Sequence, residues 1–156
     1  MFETFQGWGG KGKGRKALFL WYIRINISKY ITMKLKEILQ ESWPGRNRNR
    51  IYQLLIDTID SGPFDGGCVV FAQALKMKHG GLIVVLLNKN GQADHAAVKI
   101  DNILIDADGP AEIDAFIKRF EKNERVEISG TRPLRDGDLP DAPRDLELSN
   151  KIAKLL

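Results

Sequence analysis

Residues 66–75 read GGCVVFAQAL, and this stretch decides the architecture that we expect for the rest of the chain. Good helix formers follow two glycines, so the pattern predicts a helix over residues 68–79 that begins at Cys68 and stops before Gly80 and Gly81. The residues of this helix are apolar on nearly every side. Such a distribution is typical of a helix buried at the centre of a domain.

Cys68 is the only cysteine in the chain. The N-terminus of a helix carries partial positive charge and unpaired N–H groups, so a cysteine in that position favours its thiolate form. The same N–H groups can hold a developing oxyanion. Gly67, directly before the cysteine, lets backbone or substrate approach closely. We therefore interpret Cys68 as a candidate nucleophile and Gly67 as its support.

The composition is that of an ordinary globular domain. The chain has 156 residues, of which 43% are hydrophobic and 28% are charged. No apolar run approaches the roughly 20 residues that span a bilayer, so we expect no transmembrane segment. One cysteine cannot form an internal disulfide, which fits a reducing, cytoplasmic compartment. A delivered effector or a phage protein is the alternative that we keep.

The basic excess of the chain lies in its N-terminal segment. Residues 1–32 contain six Lys and Arg against one acidic residue, whereas residues 33–156 contain 18 basic and 19 acidic residues. The main domain therefore offers no bulk attraction for nucleic acid. The basic segment can touch a membrane surface or nucleic acid.

Residues 1–32 read as a flexible basic extension, because residues 7–16 are a basic, glycine-rich run of low complexity. We favour Met33 as the natural start, with residues 33–156 as a single domain.

The hydrophobic periodicity predicts an α+β fold with an antiparallel sheet. Gly109 and Pro110 are expected to end the third strand, and residues 131–144 are expected to form a surface loop. Besides the cysteine helix, the predicted helices are 33–42, 46–60, 111–122 and 145–156, and the predicted strands are 82–87, 94–100, 103–106 and 125–129.

The second and third predicted strands bring two polar residues together. If the chain turns at residues 101–102, Ile100 pairs with Ile103, and alternation places His95 and Asp106 on one face as diagonal neighbours. The opposite face is apolar and suits packing on a helix. An imidazole oriented by a carboxylate and facing the cysteine is a reason for such a pair, because the base takes the thiol proton and the acid fixes the tautomer.

These residues resemble the papain-like and transglutaminase-like cysteine superfamily. The resemblance rests on Gly-Gly-Cys at the start of a central helix, a strand beginning with Asp-His, and a strand ending in Ile-Asp-Ala-Asp-Gly, and it covers about residues 64–109. It implies a papain-like fold with Cys68 as nucleophile, His95 as base and Asp106 as orienting acid. It also implies a peptide, a protein, or a small amide or ester as substrate, with no cofactor.

One position departs from the family pattern. Papain carries an oxyanion-hole glutamine six residues before its cysteine, and here that position is Gly62. A second donor must come from elsewhere, and Gln53 and Asn49 on the preceding helix are the candidates.

One alternative to an enzyme remains open. A lone cysteine on an apolar helix also suits a buried core residue, so a catalytically silent binding or accessory module with the same fold is the rival of a hydrolase or acyl transferase. Zinc binding by Cys68, His95, Asp106 and Asp108 is not expected, because the sequence has no closely spaced ligand pair.

Overall fold

A computed structural model of the chain describes residues 47–156. The predictions of a basic extension over residues 1–32, of a start at Met33 and of a helix over residues 33–42 concern residues outside this range.

The described residues form four helices and five strands, in an order that starts with two helices. The elements are α1 (Arg48–Ile59), α2 (Cys68–His79), β1 (Leu82–Asn88), β2 (Ala93–Ile100), β3 (Ile103–Asp106), β4 (Gly109–Glu112), α3 (Ile113–Glu124), β5 (Ile128–Pro133) and α4 (Leu146–Ala153).

The five strands form one sheet in the order β4-β3-β2-β1-β5. Every neighbouring pair is antiparallel. The predicted α+β class and antiparallel sheet are therefore confirmed.

The register of the β2–β3 hairpin is the one that the sequence predicts. Ile100 pairs with Ile103 and Val98 pairs with Ile105. The turn residue Asp101 has a left-handed φ of 51°, a conformation that aspartate tolerates better than most residues. Because a shift of one residue exchanges the two faces, this register fixes which side chains of β2 and β3 lie together.

Helices cover both faces of the sheet. One face of β2 and β3 packs with the cysteine helix α2, together with α1 and α4, around Val98 and Ile105. The other face packs on α3, where Phe116 and Phe120 cover Leu104. In α2 the buried residues are Cys68, Val69, Val70, Phe71, Ala72, Ala74 and Leu75, as expected of a central helix.

The third strand ends before Gly109, as predicted, but the sequence analysis missed the strand that follows it. Gly109–Glu112 forms a further strand that pairs with β3, with Asp106 opposite Gly109. Gly109 has a φ of 93°, which the tight turn between the two strands requires. Pro110 is tolerated because β4 is an edge strand with one side unpaired. The following helix therefore begins at Ile113 rather than at residue 111.

The last strand was also misplaced. Arg125 is the C-cap of α3 in the left-handed conformation, so β5 begins only at Ile128 and continues through Pro133 at the other edge of the sheet. The loop after β5 is organised by Asp138. Its carboxylate accepts from Arg132 Nη2 at 2.7 Å and from the Arg135 backbone N–H at 2.8 Å.

Gly81, in the turn between α2 and β1, provides a test of how closely that turn packs against β2. A Cβ at Gly81 would lie 2.7 Å from the Lys99 carbonyl oxygen and 2.7 Å from Ile100 Cγ1, and Gly81 has a φ of +91°. Gly91 is a matched control, because its φ is +75° but a Cβ added there would meet no other group within 4 Å. We expect Gly91→Ala to lower the free energy of unfolding by about 1 kcal/mol, the ordinary cost of a left-handed residue.

Gly81→Ala should cost clearly more than Gly91→Ala, because the backbone at Lys99 must also move. Urea denaturation of both variants measures the difference. Equal losses would contradict the close approach of this turn to β2.

Candidate active site

A tight loop delivers the chain to Cys68. The Gly62 carbonyl oxygen accepts from the Gly67 N–H at 2.9 Å and from the Asp65 N–H at 3.2 Å. A Cβ at Gly67 would lie only 2.7 Å from that same oxygen, and Gly66 has a φ of +113°. The glycines are therefore required by the close contact within the loop and by its backbone conformation.

The N-terminus of α2 has no capping side chain. Gly67 is its N-cap, and the first intrahelical hydrogen bond runs from the Phe71 N–H to the Gly67 carbonyl at 3.0 Å. Helix geometry leaves the N–H groups of Cys68 and of residues 69–70 without intrahelical acceptors. The Cys68 thiol thus lies at the positive end of a helix dipole.

His95 lies near the start of β2, opposite Leu86 of β1, and is only 2% exposed. Its ring stacks with two aromatic rings. The Phe64 centroid lies 5.5 Å from the imidazole centroid, and the Phe120 centroid lies 4.7 Å from it. These contacts restrict rotation of the imidazole and hold its plane.

Asp106 is the last residue of β3 and is 3% exposed. Its Oδ2 lies 3.4 Å from His95 Nε2. This distance is long, and Nε2 makes no hydrogen bond of good geometry, so the contact is a close ion pair rather than a formed hydrogen bond. The other oxygen, Oδ1, accepts from the Asp108 N–H at 2.9 Å and from Arg119 Nη2 at 3.0 Å.

The protonation of His95 reflects these neighbours. Burial by itself lowers the pKa of His95, but the facing Asp106 carboxylate and the Cys68 thiol outweigh burial and raise the pKa to about 9. The Cys68 thiol is therefore close enough to the imidazole to influence its protonation. The structure thus brings Cys68, His95 and Asp106 together. Gly67 directly precedes Cys68 in the chain.

The structure does not bring Gln53 into this group. Gln53 is on the exposed side of α1, and its Nε2 donates to Asp57 Oδ1 at 2.7 Å. Asn49 is exposed as well. The physical reason is the helical period, because Ile51 and Leu55 are the residues that α1 turns towards the core.

Three residues of the site escaped the sequence reasoning, namely Arg119 and the two rings that stack with His95, Phe64 and Phe120. Arg119 follows Phe116 by three positions, so it flanks the apolar face of an amphipathic helix. Charged residues commonly flank such a face, so the sequence itself does not indicate the buried partner of Arg119.

Among residues 47–156, no group of three or more His, Cys, Asp or Glu side chains is arranged to hold a metal ion. Within the same range, no helix is long and apolar enough to cross a membrane.

Comparison with known proteins found no matching family model, no matching curated protein and no matching solved structure. The relationship to papain-like enzymes therefore stays a prediction that rests on the residues themselves.

The raised pKa of His95 predicts how stability depends on pH. A histidine whose pKa rises on folding, here from 6.5 to about 9, stabilises the fold fully below about pH 6.5. That contribution is lost as the pH rises through about 9. We expect the free energy of unfolding of the wild type to fall across this window, and His95→Gln to remove that part of the slope.

His79→Gln is the matched control, because burial and the nearby Lys78 lower the pKa of His79 and place its effect at more acidic pH. Urea titrations between about pH 6 and pH 10 compare the three proteins. An unchanged slope in His95→Gln would show that His95 gains no proton affinity on folding.

Proposed function

We propose that this protein is a papain-like cysteine hydrolase or acyl transferase that acts on an amide or ester through a thioester. One observation carries the proposal: a buried imidazole faces both a carboxylate and a thiol at a helix N-terminus. Thiol catalysis requires a nucleophile, a base next to it and a group that orients the base.

In the first half of the reaction, the Cys68 thiolate attacks the carbonyl carbon and a C–S bond forms. The carbonyl oxygen becomes negative, and N–H groups of the first turn of α2 are the donors available to hold it. The His95 imidazolium then gives its proton to the leaving nitrogen or oxygen as the C–N or C–O bond breaks. The product of this step is a thioester on Cys68.

In the second half, water or an amine attacks the thioester carbon. Neutral His95 takes a proton from the attacking group, the C–S bond breaks, and the thiolate–imidazolium pair is restored. Water gives hydrolysis and an amine gives acyl transfer. Asp106 faces Nε2 of His95, so Nδ1 is the nitrogen left for the thiol.

The substrate must reach a thiol that is only 4% exposed. Phe64 is the more exposed of the two rings that stack with His95, and we propose that it moves to admit the substrate. We propose a peptide or protein, or a small amide or ester, as the substrate class. A reducing compartment would suit a catalytic thiol, because oxidation would inactivate it.

The low exposure of Cys68 favours a second candidate. In a catalytically silent binding module, the cysteine would be a small core residue and the His–Asp pair a buried polar contact. The two candidates differ in the reactivity of the thiol.

Alkylation of Cys68 by iodoacetamide separates the two candidates. For the enzyme we expect labelling that stays fast below neutral pH, since the imidazolium keeps a thiolate present. His95→Gln should lose this acid reactivity, whereas the control His79→Gln should retain it. Slow labelling that rises only in alkaline solution, equally in all three proteins, would favour the silent module.

Acylation gives the second readout. Incubation with an activated ester should leave a thioester on Cys68 that intact-mass spectrometry detects. Cys68→Ala should show no adduct, and Asp106→Asn should acylate at least about ten times more slowly, as expected when an orienting acid is lost. Equal acylation of wild type and Asp106→Asn would remove Asp106 from the mechanism.

A further inference from the structure

Arg119 of α3 makes three hydrogen bonds around the β3–β4 turn. Its Nη2 donates to Asp106 Oδ1 at 3.0 Å and to the Gly109 carbonyl at 3.0 Å, and its Nη1 donates to the Asp108 carbonyl at 3.3 Å. A planar guanidinium bound at three points has little freedom to move. It therefore fixes the carboxylate relative to the turn that carries it.

These bonds also determine which oxygen faces the imidazole. Oδ1 of Asp106 is held by Arg119 and by the Asp108 N–H. Oδ2 is consequently the oxygen directed at His95, 3.4 Å from Nε2. Without Arg119, Oδ1 would keep the hydrogen bond from the Asp108 N–H, and the carboxylate would be freer to rotate.

The charge of Arg119 matters because Asp106 is 3% exposed. A buried carboxylate without a permanent counterion favours its protonated form. Among the described residues, the cationic groups that contact Asp106 are Arg119 and the protonated His95.

The neighbouring acid has its own partners. Asp108 faces Arg48 of α1, with Nη2 and Oδ1 3.7 Å apart, and accepts from Asn123 Nδ2 at 3.3 Å. The guanidinium of Arg119 contacts Asp108 through the backbone carbonyl and lies 4.9 Å over the Phe116 ring. Its ionic contact is thus directed to Asp106.

One turn of α3 therefore holds both partners of the pair. Phe120 stacks on His95, and the adjacent Arg119 holds Asp106. We propose that Arg119 is the positioning residue of this site, which compensates the charge of the Asp106 carboxylate and keeps its Oδ2 aimed at His95. The inference deepens the proposed function and rests on it for its catalytic meaning.

A double-mutant cycle read by NMR titration of His95 tests this role. The chain has two histidines, so His79 serves as an internal reference in every spectrum. If Arg119 acts through Asp106, Arg119→Gln should lower the pKa of His95 by about one unit or more, as we also expect of Asp106→Asn. In the Asp106→Asn background, Arg119→Gln should then change nothing further.

Two results would overturn the proposal. A rise in the pKa of His95 on Arg119→Gln, in both backgrounds, would mean that the guanidinium acts on the imidazole directly as a like charge. An unchanged pKa with a lowered free energy of unfolding would mean that Arg119 only braces the turn.

Arg119→Lys keeps the experiment decisive if Arg119→Gln does not fold. An ammonium retains the charge but cannot bond all three acceptors with the geometry of a fork. We expect an intermediate fall in the pKa of His95 in this variant, and no fall at all would count against the proposal.

The outcome is independent of whether the protein is an enzyme. The titration needs no substrate. If the His95 pKa values behave as expected but no thioester forms on Cys68, Arg119 keeps its positioning role and the proposed enzymatic function is rejected. If Arg119→Gln is acylated as fast as the wild type, the enzymatic function stands and the positioning role of Arg119 is rejected.

Discussion

The ion pair between His95 and Asp106 is the constraint on which the rest of the site depends. Two polar side chains, 2% and 3% exposed, are tolerated in an interior only when they have partners, and here each is a partner of the other. Removal of one partner from such a pair leaves a buried group unpaired and is strongly destabilising. Each surrounding element can be understood by how it serves this pair.

The two layers of the fold meet at the pair. On one face of the sheet, α2 packs on β2 and β3 and brings Cys68 to the imidazole. On the other face, α3 supplies the ring and the guanidinium that hold base and acid. Phe64, in the loop before Cys68, packs with the hydrophobic clusters of both faces, so it joins the two layers beside His95.

The sequence predicted the parts of the site that local periodicity controls. The β2–β3 register followed from the turn at residues 101–102, since a turn at that place pairs Ile100 with Ile103 and puts His95 and Asp106 on one face. The start of α2 followed from the two glycines before Cys68 and the helix formers after it. The structure gives the physical reason for Gly67, because the nearby Gly62 carbonyl leaves no room for a side chain there.

The parts that depend on tertiary contacts escaped prediction. Strand β4 contains Gly109 and Pro110, which usually signal a break, and it exists because β3 offers a free edge. Arg119 has no local signature of its bond to Asp106, which lies 13 residues earlier in the chain. Gln53 was a reasonable donor by residue type, but the helical period of α1 points it to solvent.

The central claim is that the thiol of Cys68 and the imidazole of His95 form one chemically coupled unit. The most direct test is NMR titration of His95 in the wild type and in Cys68→Ala, with His79 as the reference signal. If the thiol contributes to the raised pKa of about 9, that pKa must fall when the sulfur is removed. An unchanged His95 titration in Cys68→Ala would mean that the two residues are neighbours without coupling, and the catalytic account would be contradicted.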